Sequence, residues 1–145
     1  MTQADHRDSS SENLSELGRH LPRRILIVDD NTFFAKCVAA LINHEPDLKV
    51  CETVRDYLGL EQVLPLHQPD LLLIDISLGH ENGLEVARRL RQRHLATPIL
   101  LTSSMAHPTP KELTEIGHCE FVSKYQRPAE FLARIRHCLE RLAEP

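Results

Sequence analysis

Leu71-Leu72-Leu73-Ile74-Asp75-Ile76-Ser77-Leu78 is the stretch on which the fold turns. Four consecutive apolar side chains leave no polar face, so a strand here has to be covered on both sides before it ends in a carboxylate. Four more short runs read as strands, most of them also apolar on both faces: Ile25 to Val28, Leu48 to Thr53, Ile99 to Thr102 and Phe121 to Ser123. Amphipathic stretches lie between them. Buried strands alternating with helices predict an α/β fold, a doubly wound five-stranded parallel sheet with helices on both faces.

The intervening stretches carry their own start and stop signals. Asn31 is a good N-cap for a first helix that lines Phe34, Val38, Leu41 and Ile42 along one face, and Pro46 marks its end. A second helix runs through Leu58, Leu60, Val63 and Leu64, with Pro65 or Pro69 closing the connection. The third opens near Asn82-Gly83 and turns Leu84, Val86, Ala87 and Leu90 inward. Its arginines, Arg88, Arg89, Arg91 and Arg93, read as a solvated outer face. The fourth has Thr109 as N-cap, Pro110 at its first position, Glu112 completing a capping box and Gly117 as its stop. The fifth begins at Pro128 and places Phe131, Leu132, Ile135, Leu139 and Leu142 on one stripe.

Outside this alternation the chain is less patterned. Residues 1–22 are polar, with Ser9-Ser10-Ser11 where a packed element would need apolar residues, and read as a flexible extension ahead of one folded domain over 23–145. Leu14, Leu17 and Leu21 fall at helical spacing within it, enough for a short amphipathic turn. The net charge of −4 gives no electrostatic reason for direct binding to nucleic acid or an anionic membrane. Cys37, Cys51, Cys119 and Cys138 are scattered singly, so reduced thiols are expected rather than a metal or redox site. The nine histidines show no ligand spacing. No apolar run approaches the roughly 18 residues of a membrane span, and a cytoplasmic location is expected.

Chemistry is to be sought at the carboxyl ends of the strands, where loops splay apart in an open parallel sheet. Every relevant end is polar: Asp29-Asp30, Asp75, Thr102-Ser103-Ser104 and Ser123-Lys124. Each alone could be an ordinary helix cap, turn residue or surface lysine. Three carboxylates converging on one crevice, however, repel one another and raise one another's pKa values unless a cation compensates. A hard divalent ion such as magnesium suits oxygen ligands and keeps waters that a phosphate oxygen can replace. Three carboxylates against one such ion and one lysine leave a neutral pocket.

With the motifs ILIVDD, LLLIDISL, PILLTSS and FVSK in this order, the chain from about Arg24 to Leu142 resembles the receiver domain of two-component response regulators. The resemblance implies a flavodoxin-like sheet of order 2-1-3-4-5, a receiver domain over 23–145, and a phosphoacceptor switch rather than an enzyme acting on other substrates. It makes Asp75 the phosphoacceptor. Mg2+ would be held by Asp29, Asp30, Asp75 and the backbone carbonyl of Ser77, with Thr102 and Lys124 contacting the phosphoryl oxygens and Phe121 as the switch aromatic. A core phenylalanine is the plainer reading of Phe121. The implied partners are a sensor histidine kinase or phosphotransfer protein, and a DNA-binding output domain or a homodimer partner.

Two positions depart from the commonest pattern of that family. Gly79 replaces a proline, which suggests a less rigid loop, and Tyr125 follows the lysine where proline is usual, as in receivers that precede helix-turn-helix output domains. Two other classes of function compete. A phosphatase using Asp75 as nucleophile lacks an aspartate two residues later, and a receiver that only binds partners would not need the full set Asp29, Asp30, Asp75, Thr102 and Lys124.

Overall fold

The structure is a computed structural model and describes residues 21–143. Its elements are β1 (Arg23–Val28), α1 (Thr32–Asn43), β2 (Leu48–Val54), α2 (Tyr57–His67), β3 (Leu71–Asp75), β4 (Ser77–Leu78), β5 (Glu81–Asn82), α3 (Gly83–Gln92), β6 (Ile99–Ser103), α4 (Pro110–Ile116), β7 (Cys119–Ser123) and α5 (Pro128–Ala143). Five strands form one parallel sheet in the order β2-β1-β3-β6-β7, the expected 2-1-3-4-5 once the small β4-β5 hairpin is set aside.

The two parities of the central strands feed two separate cores. Ile25, Ile27, Leu71, Leu73 and Leu100 pack with Val38 and Ile42 of α1 and with Phe131, Ile135 and Leu139 of α5. Leu26, Val28, Leu72, Ile74, Ile99 and Leu101 face the other way, onto Leu60 of α2, Val86 and Leu90 of α3 and Ile116 of α4. Every residue of β3 and β6 is buried, which explains runs without alternation. Fully burying each such side chain contributes about 1.5 to 3 kcal/mol, so the central strands anchor the sheet.

The helix signals hold at their starts. Asn31 Oδ1 accepts from the Phe34 N–H at 3.0 Å, Asn82 caps α3, and the capping box of Thr109 and Glu112 is formed in both directions. Ends and faces differ more. The strands extend one or two residues beyond their apolar runs, because ladder hydrogen bonds continue through Arg23, Val54, Asp75, Ser103 and Cys119. Helix α1 stops at Asn43, three residues before Pro46. Pro65 closes nothing: it sits inside the last turn of α2, which runs on to His67 and ends where Gln68 takes a left-handed φ of 45° before Pro69. Leu58 is exposed, and Tyr57, one residue earlier, is buried in its place.

The arginines of α3 are not a bare solvated face. Arg91 donates to the carbonyls of Leu95 (2.7 Å), Thr97 (2.9 Å), Gly117 (2.9 Å) and His118 (3.0 Å), tying two loops to one helix. Arg88 pairs with Glu85 and Glu112, Arg89 lies over the Tyr57 ring, and Arg93 donates to the Tyr57 hydroxyl. Cys119 and Cys138 are core thiols whose burial pushes their pKa up to about 12, Cys51 is half-buried, and Cys37 is exposed. Leu14 and Leu17 lie outside the described residues, as does the Leu142 side chain. Among the described residues no helix is long and apolar enough to cross a membrane.

Candidate functional site

Parallel pairing sets the strand ends side by side. Asp75 is level with Thr102, and Ser103 with Ser123, the residue before Lys124. Asp29 and Asp30 follow β1, the other neighbour of β3. Carboxylate oxygens of Asp29, Asp30 and Asp75 lie within 4.8 Å of one another. Lys124 reaches in from β7: its Nζ donates to Asp75 Oδ2 at 3.0 Å and stands 2.9 Å from Asp29 Oδ2, an ion pair without hydrogen-bond alignment. Asp29, Asp30, Asp75 and Lys124 therefore cluster at one end of the sheet, with Thr102 level with Asp75 on the next strand.

Burial makes this arrangement electrostatically tense. Asp29 and Asp75 are 2% and 3% exposed. Burial pushes the Asp29 carboxyl above its ordinary pKa; Lys124 and the Asn31 N–H, which donates to Oδ1 at 2.8 Å, act against it, and the Asp75 charge adds to it. For Lys124 burial works against the ammonium form, yet its contacts with Asp29 and Asp75 outweigh that and hold its pKa above the usual lysine value. One lysine cannot neutralise three carboxylates. The buried Thr102 hydroxyl is also left without a hydrogen-bond partner, and an unpaired group of this kind costs about 1 to 3 kcal/mol. The donor set, oxygen only and short by two positive charges, fits a hard divalent cation, and the orphan hydroxyl belongs to the residue level with Asp75 on the neighbouring strand.

Asp75 leads into a closed hairpin that the sequence reading missed. Ser77 pairs with Asn82 and Leu78 with Glu81 around a two-residue turn, Gly79-His80. Gly79 has φ 69°, which proline, fixed near −65°, cannot adopt, so the glycine is what this turn requires. The Ser77 N–H donates to Asp75 Oδ1 at 3.1 Å, the Gly83 N–H donates to the Ile76 carbonyl at 2.7 Å, and Glu81 Oε1 accepts from the Tyr57 N–H at 3.0 Å. A Cβ on Gly83 would stand 2.3 Å from the Asp75 carbonyl oxygen, so only glycine lets α3 start this close to the acidic strand end. Its one sequence signal was its place just after the cap Asn82.

A family model described as response regulator receiver domain matches residues 25–136. The chain belongs to that family. It resembles a protein-glutamate methylesterase/protein-glutamine glutaminase of Treponema denticola, 28% identical over 104 residues that make up 70% of this chain and 28% of that protein. The chain thus spans little more than a quarter of the curated relatives it matches. Among solved structures it is similar to a two-component response regulator of the LuxR family from Aurantimonas sp. SI85-9A1, with TM-score 0.73 and 26% identity, covering 82% of this chain and 86% of that one. It is also similar to the BeF3-activated N-terminal receiver domain of Klebsiella pneumoniae RstA, with TM-score 0.69 and 28% identity, covering 81% and 98%.

Other features of this receiver complete the site. Ser103, which the sequence reading left without a role, shapes the loop after β6: its Oγ accepts from the N–H groups of Met105 (3.1 Å) and Ala106 (2.8 Å). Phe121 is half-buried and meets the His107 ring edge-on at 5.2 Å between centroids, beside a cleft of about 580 Å³ lined also by Glu130 and Arg134. Tyr125 is exposed, and all peptide bonds of the described residues are trans.

Proposed function

We propose that this receiver accepts a phosphoryl group on Asp75 from a phosphohistidine donor and passes the resulting change to a partner. A carboxylate oxygen of Asp75 attacks phosphorus in line, the P–N bond breaks, and the donor imidazole leaves with the electron pair. Asp29, Asp30, Asp75 and the Ser77 carbonyl would hold Mg2+, which when bound neutralises charge on the transferring oxygens. Lys124 pairs with a phosphoryl oxygen, and the Thr102 hydroxyl donates to another, gaining the partner it lacks. The observation that carries this reading is the cluster of three carboxylates, two of them paired with one half-buried lysine, at the strand end that also carries that hydroxyl.

Thr102 moving toward the acyl phosphate vacates space next to β7, and Phe121 follows, shifting a pre-existing equilibrium at the surface around α4 and α5. The donor is a sensor histidine kinase or phosphotransfer protein. The reader is a DNA-binding output domain, as the likeness to a LuxR-family regulator suggests, or a second copy of the chain. Chemistry is confined to the receiver's own phosphorylation and its reversal, in the cytoplasm, without direct contact to nucleic acid or membrane.

Incubation with acetyl phosphate and magnesium, followed by mass spectrometry, tests the assignment. One phosphoryl group on the parent and none on Asp75→Asn is expected. A stable adduct on Asp75→Asn would overturn it, and a parent that takes no phosphoryl group would favour a receiver that only binds partners.

A further inference from the structure

The ammonium of Lys124 has a third neighbour besides its two carboxylates. Its Nζ stands 4.2 Å from the centroid of the Phe34 ring, within the distance at which a cation over an aromatic face is attracted by the ring quadrupole. Phe34 is itself held from three directions. Its N–H donates to the cap Asn31, its ring meets Phe131 of α5 at 6.5 Å and 67°, and it packs on the α1 and α5 core. From the sequence it counted only as a member of the apolar stripe of α1.

We infer that Phe34 is a positioning residue for Lys124: the face of its ring covers the ammonium and holds it between Asp29 and Asp75, ready to meet an incoming phosphoryl group. A lysine has three donors on a flexible stem, and each unrestrained torsion would let the amine swing to solvent. Two carboxylates fix two directions, at 2.9 and 3.0 Å. The ring supplies the third without competing for a proton, and as a surface that accepts no full hydrogen bond it leaves the amine able to pivot onto phosphoryl oxygen. A carboxylate in that place would bind the amine too firmly, and an aliphatic side chain would not attract it.

This rests on Lys124 acting in the proposed phosphorylation, and the test separates the two claims. Phe34→Leu keeps most of the apolar volume and removes the ring; Phe34→Tyr keeps the ring. In the unphosphorylated parent, nuclear magnetic resonance should show the Lys124 ε-methylene protons displaced upfield by the ring current. That displacement should vanish in Phe34→Leu and persist in Phe34→Tyr. With acetyl phosphate and magnesium, Phe34→Leu should be phosphorylated about three- to tenfold more slowly than the parent, with magnesium affinity within about twofold and Phe34→Tyr restoring the rate. Thermal unfolding of each variant shows whether it is folded at the assay temperature. Lys124 resonances identical in parent and Phe34→Leu, or a phosphorylation rate unchanged by loss of the ring, would overturn the inference. The resonance arm decides it even where the parent takes no phosphoryl group, an outcome that would instead sink the proposed function.

Discussion

The two ends of the sheet treat charge in opposite ways. At the amino-terminal ends of the strands charges are matched by nearby partners. Asp70 accepts from the Arg24 N–H at 2.8 Å, Arg136 is gripped by Asp47 and Glu45, and Arg91 spends its donors on four carbonyls. At the carboxyl-terminal ends Asp29 and Asp75 share one lysine with a third carboxylate, Asp30, beside them, and the buried Thr102 hydroxyl has no hydrogen-bond partner. The same sheet, with the same helices, is satisfied at one end and unsatisfied at the other. What is missing at the carboxyl end, positive charge and oxygen acceptors, is what magnesium and a phosphoryl group supply. Stability and function are therefore separable by end: changes at the amino end should cost folding and spare phosphorylation, and changes at the carboxyl end should do the reverse.

The largest effect expected from this contrast is at Arg91. Arg91→Ala removes the partner of four carbonyls at the edges of two loops, and water replaces it only in part, so the fold should lose about 2 to 4 kcal/mol. Urea unfolding measures the loss. Phosphorylation of the folded fraction should match the parent, and a rate lowered in step with stability would break the separation of the two ends.

Gly83 is where the separation should fail, because it packs directly on the backbone of the proposed acceptor. A methyl group there has to displace the Asp75 carbonyl or the start of α3, costing about 1 to 3 kcal/mol. The displacement carries the acceptor with it. Gly83→Ala should thus lose both stability and phosphorylation rate, and a variant that phosphorylates like the parent would show that the acceptor tolerates movement of its backbone.

How far the sequence discloses this arrangement depends on whether a feature repeats along the chain. The core of β3 and β6 is legible because four apolar residues in a row in β3 and three in β6 leave no alternation before the polar strand ends. Asp29, Asp75, Thr102 and Lys124 are legible because each is polar where such a run stops. The β4-β5 hairpin has strands of two residues, too short for any period, and Gly79 showed only as a departure from proline. Arg91 was hidden by its class, since a charged side chain on an amphipathic helix reads as exterior while its guanidinium reaches carbonyls distant in sequence. Phe34 was hidden by the converse, an apolar side chain whose contact with a charged group depends on an element ninety residues later. Residues 1–20 lie outside the described residues, so the expected amino-terminal extension stays an expectation.

A smaller effect should appear at Asp30, which contributes to the carboxylate cluster but takes no part in the ion pairs of Lys124. Asp30→Asn keeps the shape and removes one repelling charge. The metal-free fold should gain about 0.5 to 1 kcal/mol, while magnesium affinity, read from fluorescence or calorimetric titration, should fall at least about tenfold. A variant less stable than the parent without magnesium would mean that the cluster is not strained by its own charge.

The smallest effect tests the satisfied end. Arg136 holds Asp47 with Nε on Oδ2 at 2.9 Å and a terminal nitrogen on Oδ1 at 2.8 Å, and this pairing lowers the Asp47 pKa below its ordinary 3.8. In the unfolded chain Asp47 takes up its proton at a higher pH than in the folded one. Near that pH the unfolded state binds more protons, so stability rises with pH. The contribution is complete above the ordinary carboxylate value and is lost as pH falls through the lowered folded value. Both side chains are substantially exposed, 53% for Asp47 and 36% for Arg136, so solvent screening should hold the effect under about 1 kcal/mol. The measurement is the stability of the parent minus that of Asp47→Asn, followed from neutral pH downward. The difference should be positive at neutral pH, shrink only below the ordinary carboxylate range, and shrink also with added salt. A difference that stays constant across that range would mean that Asp47 acts through shape and hydrogen bonding and not through its charge, and the contrast between the two ends would then rest on the Asp70 and Arg91 contacts.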